Sequence, residues 1–138
     1  MPSVEAYIIN IEGQVDRKIY AADEAKKMGV TPKIIKAITP ADFKSNSNSV
    51  FNRSVEACWL SHRKVLGDFL AGSADYALVM EDDIVLRNAK RAIQCLNQAL
   101  LYDFDVYQVG FLKEGVLNRT EIALKNCCLL YTSDAADE

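Results

Sequence analysis

Apolar and polar positions along this 138-residue chain switch between two periodicities, and the switches outline its elements. Ala6-Tyr7-Ile8-Ile9 is a short unbroken apolar run and reads as a strand. Asn10-Ile11-Glu12-Gly13-Gln14 reads as a turn, and the pattern then predicts a helix over 15–28 that Gly29 stops. Ile34-Ile35-Lys36-Ala37-Ile38 predicts a second strand, and Lys44-Ser45-Asn46-Ser47-Asn48-Ser49 a polar loop. Val55, Cys58, Trp59, His62, Val65, Leu66, Phe69 and Leu70 recur at three- and four-residue spacing, so a helix with these residues on its buried face is expected, ending at Gly72. A strand over 76–80, a helix over 89–101 and a strand over 106–109 complete the series. Strands alternating with helices of this length imply a single α/β domain built on a mainly parallel sheet flanked by helices.

One segment departs from plain patterning. Tyr76-Ala77-Leu78-Val79-Met80 runs into Glu81-Asp82-Asp83 before the chain turns apolar again at Ile84-Val85-Leu86. Parallel sheets bind ligands at the carboxyl ends of their strands, so three acids there suggest a site. In extended chain Glu81 and Asp83 share one side and Asp82 faces the other. Neighbouring carboxylates repel, and a cation between them keeps them ionised; an oxygen ligand set suits Mg2+ or Mn2+. The competing explanation is a helix N-terminus, where acids are common.

Composition changes the picture only after the last eleven residues are considered. Cys128 to Glu138 resemble the conceptual translation of a transposase sequencing adapter, so residues 128–138 are expected to be a non-native tail without a strand or helix pattern, and 1–127 a partial domain. The chain carries 16 basic and 19 acidic residues; without Asp134, Asp137 and Glu138 the two signs balance. A neutral balance supports neither nucleic-acid binding nor a polybasic membrane tether. No stretch approaches the ~18 apolar residues of a membrane span and the start has no signal-peptide pattern, so a cytoplasmic location is expected. Cys58, Cys95 and Cys127 form no Cys-x-x-Cys pair, and with the lone His62 no zinc set is expected; buried, reduced thiols are. The sequons at Asn52 and Asn118 matter only in a secreted chain.

Tyr7-Ile8-Ile9-Asn10-Ile11, Asp16-Arg17, Glu56-Ala57-Cys58-Trp59-Leu60-Ser61-His62 and Ala77-Leu78-Val79-Met80-Glu81-Asp82-Asp83, in that order, resemble glycosyltransferase family 25, which includes bacterial lipopolysaccharide and lipooligosaccharide sugar transferases. The resemblance covers about residues 4–86. It departs at Glu12-Gly13-Gln14, where the family has a charged pair, and at Thr39-Pro40, where Asp-Gly is commoner.

The resemblance implies a truncated GT-A (Rossmann-like) nucleotide-sugar-binding fold, in which a short acidic motif of the DxD kind holds a divalent metal on the donor diphosphate. It implies transfer of a sugar, with galactose from a uridine diphosphate donor the family-weighted choice, to a hydroxyl of a glycan or lipid-linked oligosaccharide in lipopolysaccharide or lipooligosaccharide biosynthesis. Peripheral association with the inner face of the bacterial inner membrane goes with it. Glu81 and Asp83 are the metal ligands so implied, for Mn2+ or Mg2+, and Asn10, Asp16, Arg17, Ser61, His62 and Asp82 the donor-binding candidates. Asn10 also reads as a turn residue, Arg17 as a solvated helix charge and His62 as a hydrogen-bonded core histidine. No carboxylate claims the role of catalytic base, which is expected in a missing carboxyl-terminal part. Two other readings remain: a binding module that kept the fold and lost catalysis, and a receiver-like magnesium-binding signalling domain. The second is opposed by element order, because its acidic pair would lie on the first strand and Val106-Tyr107-Gln108-Val109-Gly110 lacks the required Asp.

Overall fold

The structure is a computed structural model that describes residues 1–44, 52–110, 124–125 and 128–132. In chain order the elements are β1 Val4–Asn10, α1 Val15–Lys27, β2 Lys33–Lys36, α2 Arg53–Leu70, β3 Tyr76–Glu81, β4 Val85–Leu86, α3 Ala89–Ala99, β5 Val106–Gly110, β6 Leu124–Lys125 and β7 Cys128–Thr132. The mixed sheet runs β2-β1-β3-β7-β5, with β2, β1 and β3 parallel and β7 antiparallel to both β3 and β5. β4 and β6 pair separately as a short antiparallel ribbon.

The two central strands explain the layers. Along β1 and β3 successive side chains point to opposite faces, as the pleat requires. Ala6, Ile8, Leu78 and Met80 face α1 and α3, joining Ala21, Ala25, Met28, Ala92, Leu96 and Ala99 in one core cluster. Tyr7, Ile9, Ala77 and Val79 face the other way and meet Val65 and Phe69 of α2. Both strands are therefore buried on both sides, and an unbroken apolar run suits them better than alternation. Gly29 ends α1 with φ of 81°, a left-handed conformation that glycine adopts without a steric penalty. Glu24, buried on α1, accepts a hydrogen bond from the Leu86 amide at 2.8 Å and pairs with Lys27, fixing the β4 ribbon against the helix.

Several sequence expectations need correction. The buried row of α2 is Ala57, Ser61, Val65 and Phe69, at strict four-residue spacing. Val55, Cys58 and Leu70 are exposed, and Trp59 is 59% exposed, stacked beside the Arg63 guanidinium. Hydrophobicity ranks Trp59 above Ser61, but small side chains let the helix approach the end of β2. Cys58 is accordingly not a buried thiol, and Cys95 is only partly covered. Cys128–Thr132 is a strand of the sheet, paired with β3 and β5, and Cys-Leu-Leu-Tyr-Thr is an apolar, strand-compatible run. The loop 45–49, Cys127 and the Asn118 sequon lie outside the described residues. Asn52 of the other sequon caps α2, its side chain accepting from the Val55 amide at 2.9 Å.

Candidate functional site

The chain leaves β1 through α1 to β2 on one side, then crosses by α2 to β3 on the other, so the connections diverge at the carboxyl ends of β1 and β3. Ligand crevices of parallel α/β sheets open at such a point. Here a cleft of about 250 Å³ is lined by Ile9 and Ile11 after β1, Ala37 to Pro40 after β2, Ser54, Ala57, Cys58 and Ser61 from α2, Arg17 from α1, and Glu81 and Asp82 at the end of β3. That volume lies just under the roughly 300–1,000 Å³ of common small-molecule sites.

β3 ends at Glu81 and the three acids part company there. Glu81 continues the alternation of Ala77 and Val79 toward α2, where its Oε1 lies 3.7 Å from His62 Nε2 and 3.6 Å from Cys58 Sγ, which donates to it. His62 holds the Glu81 carboxyl below the ordinary range against the opposing effect of burial, with Cys58 and Arg17 adding to the depression. Asp82 points to the α1 side, as alternation predicts. Its Oδ1 pairs with Arg17 Nη2 at 2.5 Å and its Oδ2 accepts from Asn10 Nδ2 at 2.7 Å. The Asp82 side chain is 7% exposed whereas Arg17 is 47% exposed, so a buried carboxylate anchors a cation that reaches the cleft. Asp83 lies in the turn beyond the strand, where the two-residue alternation no longer applies. Its Oδ2 is 3.8 Å from Arg17, and burial together with the Glu81 charge pushes its carboxyl above the ordinary range. The helix-start explanation of the three acids is excluded, because a strand and a turn carry them.

The sequence-derived candidates thus divide. Asn10, Arg17, Asp82 and Asp83 come together in one hydrogen-bonded and ionic cluster, and Glu81 with His62 forms a second on the other side of the strand end. Asn10 serves its turn as well, donating to the Gln14 carbonyl at 3.1 Å. His62 is partly covered and its Nε2 adjoins Glu81. Ser61 lines the cleft, yet its hydroxyl donates to the Ala57 carbonyl at 2.8 Å and accepts from the Ile38 amide at 2.9 Å. It therefore ties α2 to the chain leaving β2. Asp16 is exposed in the first turn of α1, where an acid suits the helix dipole, and it does not line the cleft.

Pattern reading missed two parts of the site. The wall formed by Thr39 and Pro40 is braced by Asp42, which accepts from the Thr39 amide and hydroxyl at 2.7 and 2.9 Å, and by Arg53, which donates to the Phe43 and Pro40 carbonyls. Cys58 was assigned to the core, although its place four residues before His62 on a helix puts both on one face.

The oxygen atoms available for a divalent cation are limited. Both Asp82 oxygens are committed to Arg17 and Asn10. Of the other two acids, Glu81 adjoins His62 and Asp83 adjoins Arg17, in separate clusters. Burial first, and the Glu81 charge second, raise the Asp83 carboxyl above its ordinary range.

Among solved structures, the chain is similar to the crystal structure of a glycosyltransferase involved in the glycosylation of the major capsid of PBCV-1, with a TM-score of 0.48 and 9% identity over 99% of this chain. It spans 63% of that protein's length. No curated protein matches it in sequence. The family model described as glycosyltransferase family 25 (LPS biosynthesis protein) matches residues 3–134, nearly the whole chain and all the strands that shape the cleft, and the chain belongs to that family.

Proposed function

We propose that the chain carries the donor-binding part of a glycosyltransferase that moves a sugar, galactose in the family-weighted reading, from a uridine diphosphate donor to a hydroxyl of a glycan or lipid-linked oligosaccharide in lipopolysaccharide or lipooligosaccharide biosynthesis. The observation that carries this reading is the Arg17 guanidinium, anchored by Asp82 at a cleft beyond the carboxyl ends of three parallel strands. In the transfer, the bond from the sugar C1 to the diphosphate oxygen breaks, the acceptor oxygen bonds C1, and the acceptor proton passes to a base. Negative charge grows on the departing diphosphate, and fixed cations and dipoles already aimed at that position stabilise it without reorganising.

Arg17 supplies one such cation, and Asp82, itself held by Asn10, fixes its position. A bound Mn2+ or Mg2+, held by Glu81 and Asp83, would act as a Lewis acid toward the same charge. Ser61 and the braced Thr39–Pro40 segment keep the opposite wall in place, and Ile9, Ile11 and Ile38 offer an apolar surface to a base or sugar ring. No helix among the described residues is long and apolar enough to cross a membrane; in this reading a lipid-linked acceptor is met by peripheral association with the cytoplasmic face of the inner membrane.

Calorimetric titration with uridine diphosphate tests the binding half. Arg17→Ala is expected to weaken it by about 10- to 100-fold, the loss of a charge-assisted contact of about 1.5–3 kcal/mol. Release of uridine diphosphate from UDP-galactose in Mn2+ tests the chemistry, and Asp83→Ala is expected to abolish it. Unchanged release in that variant would remove Asp83 from the metal site, and tight nucleotide binding without any turnover would identify a non-catalytic binding module.

A further inference from the structure

Cys58, His62 and Glu81 bring a thiol, an imidazole and a carboxylate together with all three ligand atoms within 4.8 Å of one another. Two of the separations are 3.6 Å from Cys58 Sγ to Glu81 Oε1 and 3.7 Å from His62 Nε2 to the same oxygen. A tetrahedral zinc ion with bonds of about 2.0–2.3 Å holds its ligand atoms roughly 3.3–3.7 Å apart. Two of the three distances match, and the third, between Cys58 and His62 one helical turn apart on α2, is within 4.8 Å. The set was invisible to a search for paired cysteines, because its third member comes from the end of β3, 19 residues beyond His62 in the sequence.

We infer that Cys58, His62 and Glu81 form a binding site for a borderline-soft divalent cation, Zn2+ or its analogue Co2+, distinct in ligand chemistry from the all-oxygen pair Glu81 and Asp83. Sulfur and imidazole ligands select such ions over Mg2+ and Mn2+. Three protein ligands leave a fourth position for water or another oxygen donor. Cys58 and Glu81 both line the cleft, so the ion would stand in its wall. On binding, a metal–sulfur bond replaces the Cys58 S–H bond and the proton is released to solvent. A consequence rests on the proposed donor role of Glu81: the same carboxylate cannot serve both ions, so zinc occupancy antagonises use of the donor.

Cobalt titration of the full chain, followed by absorbance, reads the site directly. The expected result is one Co2+ per chain with a thiolate-to-metal charge-transfer band, displaced by Zn2+ and not by Mg2+. Cys58→Ser abolishes the band, and His62→Gln weakens zinc binding by at least about 100-fold, the upper end of what loss of even an outer-shell partner costs. Circular dichroism and urea midpoints of both variants confirm that the fold survives. The variant Cys95→Ser/Cys127→Ser/Cys128→Ser retains the band if the inference is right. A band that persists in Cys58→Ser, or disappears only in the triple variant, overturns it. Nucleotide titrations with and without Zn2+ separate the two readings: binding of zinc that leaves donor affinity unchanged refutes the donor role of Glu81 while the zinc site stands.

Discussion

Asp82→Ala probes the link on which the cleft depends. The substitution removes the acceptor for Asn10 Nδ2 at 2.7 Å and the anion paired with Arg17 at 2.5 Å. Asn10 is buried, so one of its amide protons loses its acceptor without access to water, at a cost of about 1–3 kcal/mol. Arg17 is half exposed and regains hydration, so its pair contributes only about 0.5–1 kcal/mol once solvent screening is considered. Together the loss is about 1.5–4 kcal/mol, a large part of the ~5–15 kcal/mol that holds a domain folded. Asp82→Asn is milder by about 1 kcal/mol or more, because its amide oxygen can still accept from Asn10 while Arg17 swings to solvent. Urea denaturation followed by fluorescence of Trp59 and by circular dichroism gives both values from the midpoints at constant slope. Uridine diphosphate affinity falls in both variants, since Arg17 loses its anchor. A midpoint for Asp82→Ala equivalent to less than about 0.5 kcal/mol, the range of ordinary surface substitutions, would refute the reasoning.

Three further outcomes follow from the same geometry. Ser61→Ala leaves the Ile38 amide without its side-chain acceptor beside the cleft and is expected to cost about 1–3 kcal/mol in urea, with weaker nucleotide binding as the Thr39–Pro40 wall loosens. Gly29→Ala meets no steric neighbour, so only its backbone at φ 81° opposes it, and a loss of about 1–2 kcal/mol by thermal or urea unfolding is expected; an unchanged midpoint would mean that α1 ends in another conformation. Glu81 and Asp83 respond to pH in opposite directions. Glu81 is held below its ordinary 4.5, so its stabilisation is present above that value and is lost as pH falls through its lowered folded value. Asp83 is held above its ordinary 3.8, so the fold favours its protonated form, and that contribution is lost as pH rises through the raised folded value. At neutral pH, Glu81→Gln should therefore lower the unfolding midpoint and Asp83→Asn should raise it slightly, the half-exposed Asp83 being screened; shifts of the same sign would contradict the assignment.

The local elements were legible because their signals are local. The apolar runs of β1 and β3, the stop at Gly29 and the strand-end position of Glu81 each depend on a few adjacent residues, and the structure places them within a residue or two of expectation. Alternation along β3 even separated Glu81 from Asp82. The buried row of α2 was misread because burial depends on how closely a helix approaches its sheet, and small Ala57 and Ser61 permit an approach that Trp59 would prevent.

By itself the sequence determined an α/β chain with parallel strands and an acidic strand end, since periodicity and turn chemistry act over a few residues. Tertiary structure alone decided which groups meet. Asn10 and Asp82, separated by 72 positions, become hydrogen-bonded partners because β1 and β3 are neighbours in the sheet. Glu81 gains Cys58 and His62 because α2 crosses that face. Cys128–Thr132 becomes a strand through pairing with β3 and β5, contacts that lie far from it in the chain. A carboxylate's identity is written locally, but its partner, exposure and charge are set by distances that only the folded chain creates.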